Sequence, residues 1–137
     1  MRRSKVKPAQ SMLDKMLGEA SWLMSHAEAL ADYGRNEEAA AELARAAACE
    51  EQVASWLDVA ERDQEAVLHR VSAAACYEKL GQYARAVTLL RAALSTPVAA
   101  EYRRKIEEQL SRCLTRASRE MRRAPLPKTR GPIAVAV

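Results

Sequence analysis

Few side chains in this sequence could do acid–base or metal chemistry. The histidines are His26 and His69, and the cysteines are Cys49, Cys76 and Cys113, with no C-x-x-C and no metal-spaced set. No Gly-rich phosphate loop, G-x-S-x-G or H-E-x-x-H is present, the arrangements that place a phosphate, a nucleophile or a zinc ion. No catalytic residue, metal or cofactor is therefore expected. Arginine is more plentiful. Arg112, Arg116, Arg119 and Arg123 follow one another at spacings of four, three and four, which sets them on one face of a helix. With Arg122, Lys128 and Arg130 nearby, that face suits the phosphates of a nucleic acid or an acidic protein. The plain alternative is a solvated face that pairs with neighbouring Glu and suits a helix C-terminus. Interleaved aromatics, which would stack single-stranded bases, are missing.

A second pattern is Arg62-Asp63 followed by His69, an R-D-x5-H run. It resembles the arginine–polar–x–histidine motif of HEPN-type ribonucleases, small all-helical proteins that are usually dimeric. That resemblance implies His69 as general acid or base, Arg62 on the scissile phosphate and Asp63 as the orienting group. It is the enzymatic alternative to a binding protein.

Trp22, His26, Ala29 and Tyr33 form a third pattern, again at spacings of four, three and four. This aromatic stripe lies beside the main apolar stripe of its helix. Either it packs against the long final helix or a flanking segment, or it is a partner-binding surface rich in interface-type residues.

These residues need helices to position them, and composition favours helices. Ala supplies 28 of 137 residues, Gly four and Phe none. Ala has the best helix propensity, whereas strands want β-branched and aromatic side chains. The length allows one compact domain. Residues 1–10 read as a basic arm with Arg2, Arg3, Lys5 and Lys7, residues 11–124 as a single helical domain, and residues 125–137 as a Pro-containing tail. The net charge of +4 is uneven, because residues 112–137 hold seven basic residues and one Glu. No run approaches the roughly 18 apolar residues of a membrane span. Arg2-Arg3 precedes Asp14, Lys15 and Glu19 rather than an apolar stretch, so no export signal is read. Lone cysteines in predicted helices read as buried thiols, and the expected location is cytoplasmic, with no membrane partner.

Five helices are expected. Ser11 with Asp14 reads as a capping pair before a first helix with apolar residues from Leu13 to Leu30, and Gly34 ends it. Asn36 reads as the cap of a second helix reaching about Ala60, either unbroken or bent near Cys49–Gln52. Asp63 reads as the cap of a third, with Val67/Leu68, Val71, Ala74/Ala75 and Leu80 on its face. A fourth runs from Tyr83 to Leu94. Thr96-Pro97 reads as the cap and first residue of a last helix of about 27 residues, striped by Tyr102, Ile106, Leu110, Cys113/Leu114, Ala117 and Met121.

Gly81, Tyr83, Ala86 and Ala93, with Tyr77 before and Pro97 after, resemble the half-repeat signature of the tetratricopeptide family. Gly34, Ala39 and Ala46 repeat the spacings, although the glycines stand 47 apart against a family period of about 34. The resemblance covers roughly residues 20–97. It implies antiparallel helical hairpins nested through small residues and capped by the long last helix, which must supply a missing half-unit unless a second copy of the chain does so in a homodimer. It also implies a concave groove lined by the first helix of each pair. Aligned on the two glycines, the groove residues are Met24, Glu28 and Asp32 from one pair and Val71, Ala75, Glu78 and Lys79 from the other. The function it implies is a non-enzymatic protein–protein interaction module, an adaptor, scaffold subunit or small bacterial chaperone, holding a protein partner in that groove.

Overall fold

The computed structural model describes residues 10–123, all of whose regular structure is helical. The helices are α1 Gln10–Asp32, α2 Asn36–Val59, α3 Asp63–Lys79, α4 Tyr83–Leu94 and α5 Ala100–Arg123. The all-α class and the count of five are as expected. The basic arm up to residue 9 and the tail from residue 124, with Lys128 and Arg130, lie outside the described residues.

Three connections are only three residues long and share one conformation. In the first, the Arg35 N–H donates to the Leu30 carbonyl (2.9 Å) and the Gly34 N–H to that of Ala31 (2.9 Å). The others repeat it, with Arg62 to Leu57 (2.8 Å) and Glu61 to Asp58 (3.0 Å), then Gln82 to Tyr77 (2.8 Å) and Gly81 to Glu78 (3.0 Å). This paired return of N–H groups to the last carbonyls requires a left-handed residue in the middle. Gly34 (φ 79°) and Gly81 (φ 76°) supply it where the sequence indicates, and Glu61 (φ 60°) supplies it where nothing in the sequence does. The third residue of each turn serves two helices. Its N–H closes the one before, and its carbonyl accepts the first bond of the next, from Ala39, Ala66 or Ala86.

That economy corrects two expected caps. Asn36 and Asp63 are already inside α2 and α3, and the cap positions fall on Arg35 and Arg62, with no side-chain cap bond. Arg35 and Arg62 pair instead with Glu38 and Glu65, three residues on. At the other end of the chain, α5 begins at Ala100, not Pro97. The Thr96 hydroxyl donates backwards to the Ala93 carbonyl (3.1 Å), and Ser95 to that of Ala92 (2.6 Å), so both close α4. The residue before a proline is biased away from helical geometry, which delays α5. The Ser11–Asp14 capping pair is also replaced, because α1 already includes Gln10, whose side-chain amide donates to Asp14 (3.0 Å). Helix α2 is continuous, having no Gly or Pro to bend it.

Each helix packs on the next: α1 on α2, α2 on α3, α3 on α4 and α4 on α5. The short turns make neighbours antiparallel. Tyr83 at one end of α4 meets Arg116, while Leu94 at the other end meets Arg103. Alanine sets the spacing. Five residues after each left-handed residue stands Ala39, Ala66 or Ala86, and seven further on Ala46, Ala73 or Ala93, and all six are buried. Small side chains at these crossings let helix axes approach toward the short end of the usual 8–10 Å. Leu23, Val67, Leu90 and Ile106 fill the main core between them, and Leu13, Val53 and Leu57 fill a second cluster.

Two faces differ from expectation. Helix α3 lies between α2 and α4 and buries Ala66, Val67, Ala73, Ala74, Cys76 and Tyr77, leaving Leu68 exposed. The α5 stripe buries Ile106 and Cys113, but Leu114 and Met121 are exposed. Twelve-residue α4 is half the length of 24-residue α5, so the end of α5 outruns its support.

Candidate functional site

An apolar surface recess lies where the C-terminal half of α1, the first turns of α2 and the end of α3 meet. It is a cleft of about 400 Å³. Ala27, Ala31, Ala39 and Ala40 form its floor and sides, with Met24, Leu43 and Leu80 around them. The cleft exists because four alanines stand where larger side chains would have filled the space. Glu28, Asn36 and Lys79 supply its polar groups, so an acid and a base border the same apolar trough.

Of the expected groove residues, Met24, Glu28 and Lys79 line this cleft. Asp32 is exposed one turn beyond Glu28, and Val71 and Ala75 are half-buried on α3, Val71 against the main core. Glu78 is turned the other way. It accepts Arg112 Nε (2.6 Å), Arg112 Nη2 (3.2 Å) and Gln109 Nε2 (3.5 Å), tying the last turn of α3 to α5. Those bonds, the Arg112 guanidinium first, hold the Glu78 carboxyl below the usual carboxylate range. The structure thus gathers the α1 half of the groove and only the end of the α3 half. The α2 residues Ala39, Ala40 and Leu43 were missed. Their signal was present, as small and apolar side chains one turn apart just after a hinge.

The aromatic stripe is not covered by the last helix, which packs on α4. Trp22 is 59% exposed and Tyr33 84%. His26 stacks on Trp22, ring centroids 4.6 Å apart, and its Nδ1–H donates to Glu42 on α2 (2.6 Å).

Arg62 and His69 are each engaged by a carboxylate. Arg62 pairs with Glu65 and reaches Gln10, while His69 Nδ1–H donates to Glu50 (2.8 Å). Glu50, 4% exposed, is the one buried charged residue among those described. Asp63 is exposed on the first turn of α3.

On the arginine face, Arg112 is committed to Glu78, and Arg116 lies over the Tyr83 ring, 5.7 Å from its centre, donating to the hydroxyl (3.3 Å). Arg116, Arg119 and Arg123 with Tyr83 and Glu120 border a shallow recess of about 290 Å³. The thiols offer little reactivity. Burial pushes the Cys76 thiol up to about 11 and that of Cys113 in the same direction. Among the described residues no His, Cys, Asp and Glu group is arranged to hold a metal, and no helix is long and apolar enough to cross a membrane.

Compared with known proteins, the chain matches no family, no curated protein and no solved structure.

Proposed function

We propose that this chain is a protein–protein interaction module, a tetratricopeptide-like stack that acts as an adaptor or chaperone-like subunit without chemistry of its own. The cleft between α1, α2 and the end of α3 carries the reading. It offers apolar walls to a Leu- or Met-type side chain and a carboxylate, Glu28, to a basic residue beside it. The partner that suits it is a helix with an apolar face flanked by Lys or Arg. Asp32 and Glu37, exposed at the same hinge, extend the acidic rim.

Ala31 and Ala40 line the cleft yet are exposed, so arginine at either fills the trough and repels a basic partner without entering the core. A tagged chain should retain a partner from the source lysate that A31R/A40R loses, and a synthetic basic amphipathic helix should compete for it. Equal retention by both chains refutes the cleft.

The ribonuclease alternative draws support from the His69–Glu50 contact, since a carboxylate orients an imidazole for proton transfer. His69→Ala would abolish RNA cleavage on that reading and leave partner retention unchanged on the adaptor reading.

A further inference from the structure

The arginine end of α5 is not used by the cleft, and its charge is out of keeping with the rest of the molecule. From Arg112 to Arg123 there are five arginines and one glutamate, whereas residues 10–111 hold seventeen acidic residues against eleven basic. Elsewhere Arg35, Arg45, Arg62 and Arg70 each have a carboxylate partner, while Arg85 lies on the Tyr77 ring and Arg103 donates to backbone carbonyls. Arg91 and Arg104, unpaired among the described residues, lie on separate helices. In the last three turns of α5 no arginine pairs with a carboxylate among the described residues, and Arg112 just before them is the last that does. Arg116 is held in place by the Tyr83 ring and hydroxyl, and Arg119 and Arg123 border the same recess. From Ser118 to Arg123 every residue is exposed, so this end of the helix is open to solvent beyond the recess at Tyr83.

We propose that this end of α5 docks on the phosphates of B-form duplex DNA without reading its bases. A helix about 10–12 Å across with its side chains fits a major groove about 12 Å wide. The deep, narrow major groove of A-form RNA does not admit it. Single strands would need free aromatic faces for stacking, and the nearby ring, Tyr83, is covered by Arg116. Insertion into an anionic bilayer would need a broad apolar face, and only Leu114 and Met121 are exposed beside the arginines. The acidic body repels phosphate, which turns the molecule so that the arginine end leads.

Salt dependence of binding to a mixed-sequence DNA duplex, followed by fluorescence anisotropy on the full-length chain, tests this. Each phosphate contact contributes about −0.9 to the slope of log K against log salt, so R116Q/R119Q/R123Q should flatten it by about 2.7. Binding near physiological salt should fall at least tenfold. R104Q/K105Q, which removes exposed charge from the other end of α5, should leave the slope within about 0.5 of the parent, which separates this surface from net charge, while the flattened slope of the triple variant separates it from the basic termini. Far-UV circular dichroism of each variant confirms that the fold is retained. An unchanged slope in the triple variant overturns the proposal. So does tighter binding to duplex RNA, to single strands or to polyglutamate than to the DNA. Loss of DNA binding with partner retention intact would leave the cleft reading standing, and the converse result would leave this one.

Discussion

The left-handed turns allow a test in which the same conformation is probed from both sides. At Gly34 and Gly81 an added Cβ would meet nothing within 4 Å, so Gly→Ala there changes backbone energetics without a clash. A left-handed L-residue costs about 1–2 kcal/mol. Alanine recovers about 0.4–1 kcal/mol by restricting the unfolded chain. Each Gly→Ala variant should therefore lose about 0.5–1 kcal/mol, or about 2–5 °C in Tm for a domain of this size. Glu61 already bears the left-handed cost, so the sign reverses there. Glu61→Gly relieves the strain but loosens the unfolded chain, for a net gain of about 0.5 kcal/mol. Glu61→Asn, which keeps a side chain yet tolerates the conformation, should gain about as much.

Glu61→Ala is the control. It removes the carboxylate and keeps the Cβ, so it should be close to neutral, because Glu61 is exposed. Urea unfolding followed by far-UV circular dichroism reads the series, with a common m-value required across it. Should E61G and E61N destabilise as much as G81A does, the α2–α3 turn is not equivalent to the other two, and the three-turn account of the fold fails.

Other expectations rest on particular contacts. Ala86→Leu inserts bulk at a fully buried crossing of α4 and should cost about 1–3 kcal/mol in the same unfolding assay, whereas Ala84→Leu on the exposed side should be near neutral. His69→Ala leaves the Glu50 carboxylate buried without its partner and should cost about 1–3 kcal/mol, with His69→Gln recovering part of it. The Glu78 carboxyl titrates lower in the folded chain than its ordinary 4.5, so its stabilisation is full above that value and is lost as pH falls through the lower folded value. Arg112→Gln should remove that acid-side component and leave the curve above pH 6 parallel to the parent. In native protein, Cys49 should react with an alkylating reagent well before Cys76 or Cys113, and all three should react at similar rates in denaturant, as mass spectrometry of quenched samples would show.

How much of the fold was legible depends on which residue carried each signal. Gly34 and Gly81 announce their turns because glycine is the usual tenant of a left-handed position. Glu61 does not, so the turn at 60–62 is read only from Asp63, taken as the cap of the next helix. Ala66 and Ala73 stand at the same offsets from Glu61 as Ala39 and Ala46 from Gly34, but the Ala-x6-Ala interval also occurs at 20/27, 40/47, 41/48, 47/54, 92/99, 93/100 and 117/124, so in an alanine-rich chain it does not single out a turn. The two caps misplaced at the three-residue turns have one cause. A side-chain cap was sought at Asn36 and Asp63, while the backbone had closed one helix and opened the next on the residue before.

The site was less legible because a groove depends on which helix faces remain unpaired. Transferring groove positions from two glycines assumed that the α3 face stays open, yet Arg112, thirty-four residues away, closes over Glu78. No spacing rule within α3 reports on that. It follows from where α5 runs: one turn inside its contact with Tyr83 it lies against the end of α3, and its remaining length carries Arg119 to Arg123 beyond the last supporting helix. The same helix thus takes Glu78 out of the expected groove and, past Tyr83, presents the basic end. Shortening α5 after Ala117 should therefore abolish DNA retention while keeping the Glu78–Arg112 bridge and its acid-side signature. Loss of both together would mean that the end of α5 is needed to hold the stack, and that its charge is incidental.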